Sequence, residues 1–368
     1  MVPLVAYSGE DDGQIQAAYA MRDAMRAEGL ELAHIIGPKT GHKYEAGAKA
    51  EINRRIDAIA AAGRVRVPLE VRFITHSLRY NRMAWVTVDA LGDHWEPARV
   101  LATLPGKDGP IRLTVTNVSA VTLSLEAGEA PFPPDRPVMV EVTDGGSSFL
   151  MEAGRPASDR SWRCAFHREG DQWKTGPDSR SGLRKRHGQQ GPIDDAFMDS
   201  FVMVLPGGKP MNDKVGEWVS SESARAIEHW RRHFRGDARQ RKDSEVTDED
   251  IKNSNLVLWG DPSSNALLAR IADKLPIRWT ADGIKAGNRT YAADGFAPVL
   301  IYPNPLNPTR YVVINSGFTF REYDYLNNAR QTPKLPDWAI IDLSKPPGSR
   351  APGGIADAGF FGERWELR

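Results

Sequence analysis

Cysteine is almost missing from this chain. Its 368 residues hold one, Cys164, which excludes an internal disulfide and a cysteine-built zinc cluster. It lies in SWRCAFH, an alternating stretch that reads as a strand with a buried thiol. His167, three residues on, would point to the opposite strand face, so the two do not make a nucleophile and its base. Net charge is missing as well, because 48 Lys and Arg balance 48 Asp and Glu. A neutral chain gives no electrostatic reason to expect a nucleic-acid or acidic-membrane partner. No apolar run reaches the ~20 residues that span a bilayer, and the N-terminus lacks the basic-then-apolar order of a signal peptide. Localisation stays open, and the reading expects neither a cofactor nor a metal.

What is present falls into three patterns, enough for two or three domains at this length. Hydrophobic residues make up 40% and charged residues 26%, the proportions of a globular protein. Residues 1–63 read strand, helix, strand, helix: VPLVAYSG, then a helical face of Ile15, Ala18, Met21, Met25 and Leu30, then Leu32 to Ile36, then Ala46 to Ala62. Residues 64–180 turn to period two, with turn signals about every ten residues. VRVPLEVRFITHS, RMAWVTVDAL, WEPARVLATL, IRLTVTN, AVTLSLEA, RPVMVEVTD and SWRCAFHRE are short strands, and LPGKDGP and EAPFPPDRP cannot continue a ladder. That spacing predicts an antiparallel β-sandwich. TGPDSRSGLRKRHGQQGP has no apolar period and reads as a mobile surface loop or linker.

From 181 to 368 α/β patterning returns. SFVMVLPGG, NLVLWG, APVLIYPNP, RYVVINSG and WAIIDLS read as strands, with helices over 212–234 and 264–275. Several of these strands are apolar on both faces, as parallel strands under helices are. The expectation is a doubly wound, flavodoxin-like or Rossmann-like parallel sheet.

The first region carries the clearest chemistry. Asp12 follows the strand VPLVAYSG, and His42 follows LAHIIGPKTG one crossover later. An acid and a histidine after neighbouring parallel strands share one sheet edge, where the carboxylate can orient the imidazole as a general base. SGEDDGQIQ, an amphipathic helix and GPKTGHKY together resemble the last catalytic segment of the prolyl-oligopeptidase family of α/β-hydrolases. Gly9, Asp12 and Ile15 match its G-x-x-D-x-x-[VI] acid turn and His42 its histidine loop, over roughly the first 60 residues. The resemblance implies serine hydrolysis of ester or amide bonds, on a small-molecule or peptide substrate, with Asp12 and His42 as triad members. The serine departs from the pattern: the family places it upstream in a G-x-S-x-G elbow, and no such motif occurs here. The resemblance then implies the C-terminal portion of a larger hydrolase, with the family's C-terminal extension after it. Asp12 also suits a plain helix cap.

Other constellations weigh less. Ser316 in INSGF follows a strand, but Ile314 and Phe318 stand where an elbow needs glycine. GDPSSN opens a helix after a strand, so Ser263, Ser264 and Asn265 are ligand-binding candidates, joined by Asn304, Asn315 and Ser316 if those strand ends share an edge. Without G-x-G-x-x-G, Ser264 and Asn265 are equally good plain caps. His229 and His233 are one helical turn apart with Asp237 near, yet HWRRH lacks the HExxH glutamate and reads as helix packing. His94-Trp95 and the ten tryptophans suit a core better than a sugar-stacking surface. The sequence leaves two rival functions, a hydrolase using Asp12 and His42 and a non-catalytic ligand-binding or assembly module. An open strand edge at residues 3–7 predicts a homo-oligomer.

Overall fold

The computed structural model describes residues 3–105 and 109–368; residues 106–108, inside the expected LPGKDGP turn, and the first two residues of the chain lie outside the described residues. The chain divides into two compact units, 1–72 and 73–368.

In the first unit β1 (Val5–Gly9) and β2 (Ala33–Gly37) pair in parallel, joined by α1 (Ile15–Ala27) and followed by α2 (Ala46–Ala62). A parallel pair needs a crossover of a dozen or more residues, and α1 supplies it. Glu45 caps α2 by accepting the N–H groups of Gly47 and Ala48 at 2.9 and 2.7 Å. Among the described residues, no third strand joins β1 and β2. No residue of α1 is buried.

The second unit begins within β3 (Glu70–Thr75) and continues through β4 (Arg82–Met83), β5 (Val86–Leu91), β6 (Ala98–Thr103), β7 (Ile111–Thr116), β8 (Val118–Leu125), β9 (Met139–Asp144), β10 (Ser147–Glu152), β11 (Trp162–Glu169) and β12 (Gln172–Thr175). They form two five-stranded sheets, ordered β10-β9-β7-β6-β3 and β12-β11-β8-β5-β4. β10 with β9, β7 with β6, β12 with β11, β11 with β8, β8 with β5 and β5 with β4 pair antiparallel, and β7 with β9 in parallel. β7 alternates buried and exposed along its length, the signature of one covered face. Trp162 Nε1 donates to the Ala153 carbonyl at 2.9 Å, and Trp173 Nε1 to Asp144 at 3.1 Å, each bond crossing from one sheet to the other. The period-two reading missed β10 and β12, short strands whose polar residues hide the alternation.

A seven-stranded sheet follows: β13 (Phe201–Leu205), β14 (Gln240–Lys242), β15 (Asn255–Leu258), β19 (Phe296–Asn304), β20 (Asn307–Ile314), β21 (Trp338–Asp342) and β22 (Gly354–Gly359), with the meander β16 (Ile277–Thr280), β17 (Gly283–Ala286) and β18 (Arg289–Tyr291) between. Its order is β14-β13-β15-β20-β19-β21-β22. Helices α3 (Asp213–Phe234), α4 (Asp248–Asn253) and α5 (Ala266–Ile271) connect the early strands. β14, β13, β15 and β20 run parallel, while β19, β21 and β22 alternate in direction. The sheet is therefore mixed, which corrects the expected parallel sheet. Only Pro305 and Leu306 separate β19 from β20, and so short a link permits an antiparallel neighbour alone. β15 and the start of β21 are buried throughout. They share one core with Trp218 and Val219 of α3, and each large apolar side chain buried there contributes ~1.5–3 kcal/mol.

The segment after β12 runs along the surface through residues 176–184 and 186–188, as its composition suggests, but Lys185 and the stretch from Gln189 on turn inward. Lys185 has no exposed surface, and Gln189 to Phe197 are buried. Gln189 Nε2 donates to the carbonyls of Pro308 and Arg310. Lys185 looks solvent-bound in sequence because its buried partner, Asp337, lies far along the chain.

Candidate functional site

The loops after β1 and β2 are bonded to each other. Glu10 N donates to the Gly37 carbonyl at 2.9 Å, Asp11 N to that of Thr40 at 3.0 Å, and Lys39 N to the Glu10 carboxylate at 2.8 Å. Gly9 makes this crossing possible, since a Cβ there would stand 2.1 Å from the Thr40 oxygen. Tyr7 ties down the far end, donating to the Lys43 carbonyl and accepting from Glu45 N, both at 2.9 Å.

These loops bring Asp12 Oδ2 to 2.9 Å from His42 Nδ1. Asp12 Oδ1 accepts Gln14 N at 2.9 Å. The two hydrogen bonds, the backbone one first, hold its carboxyl below the ordinary range. The Asp12 side chain is 12% exposed and that of His42 77%. A held Nδ1 with an exposed ring leaves Nε2 for a proton acceptor's task. No hydroxyl of this unit shares a hydrogen bond with His42 among the described residues. Ser8 is buried and its Oγ lies 3.1 Å from His34 Nε2, a pair the sequence reading overlooked. Thr40 donates to the Pro38 carbonyl.

The second unit holds a separate crevice of about 830 Å³ at the C-terminal ends of β13 and β15. β13 leaves through α3 to β14 on one side, and β15 lies on its other side, so this is the sheet's switch point, where open α/β sheets bind ligands. Pro206, Gly208, Asp213, Glu217, Ser220 and Asp261 are among its walls. No Lys or Arg is among the described residues that line it. The α3 side of the crevice escaped sequence reading, although the Pro-Gly-Gly after β13 and the Asn212 cap, which accepts Val215 N at 2.9 Å, were visible signals.

The candidate polar residues mostly build this edge. Asp261 accepts backbone N–H groups from Met211, Ser263 and Ser264. Ser263 Oγ donates to the Lys209 carbonyl at 3.0 Å, and Ser264 Oγ accepts Asp261 N at 2.9 Å. Asn265 caps α5 through Leu267 N and Leu268 N. Asn315, at φ +52°, accepts Gly260 N at 2.8 Å and donates back to its carbonyl at 2.9 Å. Ser316 Oγ donates to the Gly317 carbonyl. Asn304 is a correction in place: β19 runs antiparallel to β20, so Asn304 pairs with Asn307 at the opposite end of the sheet from Asn315. There it shapes the turn, accepting Leu306 N at 2.9 Å.

His229 and His233 pack with Phe320 and Tyr325, and His229 Nδ1 lies 2.5 Å from the Tyr325 hydroxyl. Burial pushes the His229 imidazole down to about 3. Asp237 pairs instead with Arg231 at 2.8 Å. Among the described residues no group of three or more His, Cys, Asp or Glu could hold a metal. Burial raises the Cys164 thiol above its ordinary range, and Trp95 stacks on Phe360.

Set beside known protein families, curated proteins and solved structures, the chain matches none.

Proposed function

We propose that residues 1–72 carry the acid and the general base of an α/β-hydrolase site acting on ester or amide bonds, resembling the prolyl-oligopeptidase family. The observation that supports this is the 2.9 Å bond between Asp12 and His42, with His42 otherwise exposed. Asp12 fixes the ring through Nδ1, and Nε2 takes the proton of the attacking hydroxyl. In the chain alone that hydroxyl is water, because Ser8 and Thr40 are otherwise engaged. In this reading the two five-stranded sheets are a β-sandwich, and the seven-stranded sheet is a variant of the doubly wound architecture.

The test is hydrolysis of p-nitrophenyl acetate by the full chain, His42→Ala and Asp12→Asn. Loss of a positioned general base lowers the rate by ~10²–10⁴-fold, and Asp12→Asn shares that loss because it leaves the imidazole unoriented. Rates unchanged in both variants reject the reading.

The crevice favours a second reading, a ligand-binding module. Its carboxylates and hydroxyls, without a lining cation, suit a polyol or an amine rather than a phosphate. Equilibrium dialysis with spermidine and with glucose tests it, and retention of neither rejects it.

A further inference from the structure

Lys185 and Asp337 meet where neither side chain has any exposed surface, with Nζ 2.5 Å from Oδ2. Their surroundings are dry. The Trp365 ring lies under Nζ, its centroid 5.0 Å away. Phe361 N donates to the same Asp337 Oδ2 at 2.9 Å, while Asp337 Oδ1 is buried with no hydrogen-bond partner. Oδ1 lies against Gly191, where a Cβ would come within 2.1 Å of it. A further acid stands close by: the Glu363 carbonyl accepts Lys185 N at 2.8 Å, and its carboxyl Oε1 is buried without a partner.

A buried ammonium and carboxylate are costly to desolvate, and their mutual attraction offsets this only with good geometry and further hydrogen bonds. Here one carboxylate oxygen is left unbonded. Condensation would remove both charges and leave an amide, which is far easier to bury.

We propose that Lys185 and Asp337 join in a self-formed isopeptide bond, fastening the segment after β12 to the start of β21. The Nζ–H···Oδ2 contact passes one proton from the ammonium to the carboxylate, giving an amine and a carboxylic acid. Nζ then attacks Cγ, forming the C–N bond. Phe361 N–H steadies the departing oxygen at Oδ2, and Oδ1 remains as the amide carbonyl. The Cγ–Oδ2 bond breaks, and Oδ2 leaves as water with the proton it received and a second one from nitrogen. Ammonium plus carboxylate thus gives amide plus one water, with no oxidant or co-reactant. Burial raises the carboxyl of Asp337, so the neutral acid this step uses is favoured there. The link spans 152 positions, doing in a chain with one cysteine what a disulfide does elsewhere.

Intact mass spectrometry of the full chain, followed by a tryptic map, tests this. The expected mass is one water below that of the sequence, with a branched peptide joining Lys185 to Asp337. Lys185→Arg is expected at its full sequence mass, and Asp337→Asn should lose one ammonia and keep the branch. An unmodified wild-type chain at its full sequence mass overturns the proposal. So does a water lost within linear peptides, as in succinimides at Asp-Gly pairs.

Discussion

The two units keep their geometry by different means. In the first, Ala48, Ile52 and Val71 are the buried apolar residues among those described, while Met21, Ile36, Tyr44 and Ile56 are exposed. Asp12 and His42 are held by hydrogen bonds between loops, with Gly9 allowing the loops to touch. In the second, strands buried on both faces form a continuous core, and buried ion pairs are fixed inside it. A site can therefore be precise where the core is thin, provided its backbone is cross-bonded. Substitutions in the two units should then differ in what they damage, stability in one and local geometry in the other.

The largest expected effect is in the second unit. Glu222 holds Arg321 through two bonds, 2.7 and 3.1 Å, and both side chains are 6% exposed. Glu222→Ala strands the guanidinium and should cost ~3–5 kcal/mol, read by urea denaturation. A paired comparison comes next. Ile340 is fully buried in β21, and Ile340→Ala should cost ~2–5 kcal/mol. Ile52→Ala should fall at the low end of that range, ~2 kcal/mol, since few other buried apolar side chains surround it in the first unit. Equal losses would erase the contrast between the units.

A pH effect follows in size. His94 Nε2 lies 2.7 Å from Glu363 Oε2, close enough for an ion pair, yet burial favours the neutral forms. It pushes the His94 imidazole down from 6.5 to about 3 and the Glu363 carboxyl up from 4.5 to about 8. Between pH 4.5 and 6.5 the folded and unfolded pair each hold one proton. Above 6.5 the unfolded histidine releases its proton while the folded pair keeps one until about 8, so stability falls as pH rises. Below 4.5 the unfolded chain takes a second proton that the folded pair refuses until about 3, so stability falls again. The alkaline loss should be about 2 kcal/mol, and denaturation at pH 8 against about pH 5.5 checks it. A flat profile would remove this pair from the second unit's stability.

The smallest effect concerns association. β1 and β2 present unpaired edges, which invite a second chain. Sedimentation at micromolar concentration should show dimers or larger species, and monomer alone would show that the thin unit stands by itself.

Much of this was legible in the sequence, and for definite reasons. α2 falls at Ala46–Ala62 as its pattern indicates, and α3 begins after its Asn212 cap. Asp12 and His42 meet because a strand-helix-strand crossover fixes both loop ends. Long-range pairing was hidden. Lys185 looked like a loop charge because Asp337 lies 152 positions away. Asn304 shares no edge with Asn315 because β19 and β20 run antiparallel, where the apolar pattern suggests parallel neighbours. Pattern reports what one segment wants, whereas register and ion pairing depend on two.

The short turn between β19 and β20 also governs the order in which the large sheet can assemble. Those two strands find each other locally, with little loop entropy to overcome. β15 must wait for β20, which lies beyond the whole meander. During synthesis β13 and β15 therefore emerge early with an open side, and the late hairpin closes it.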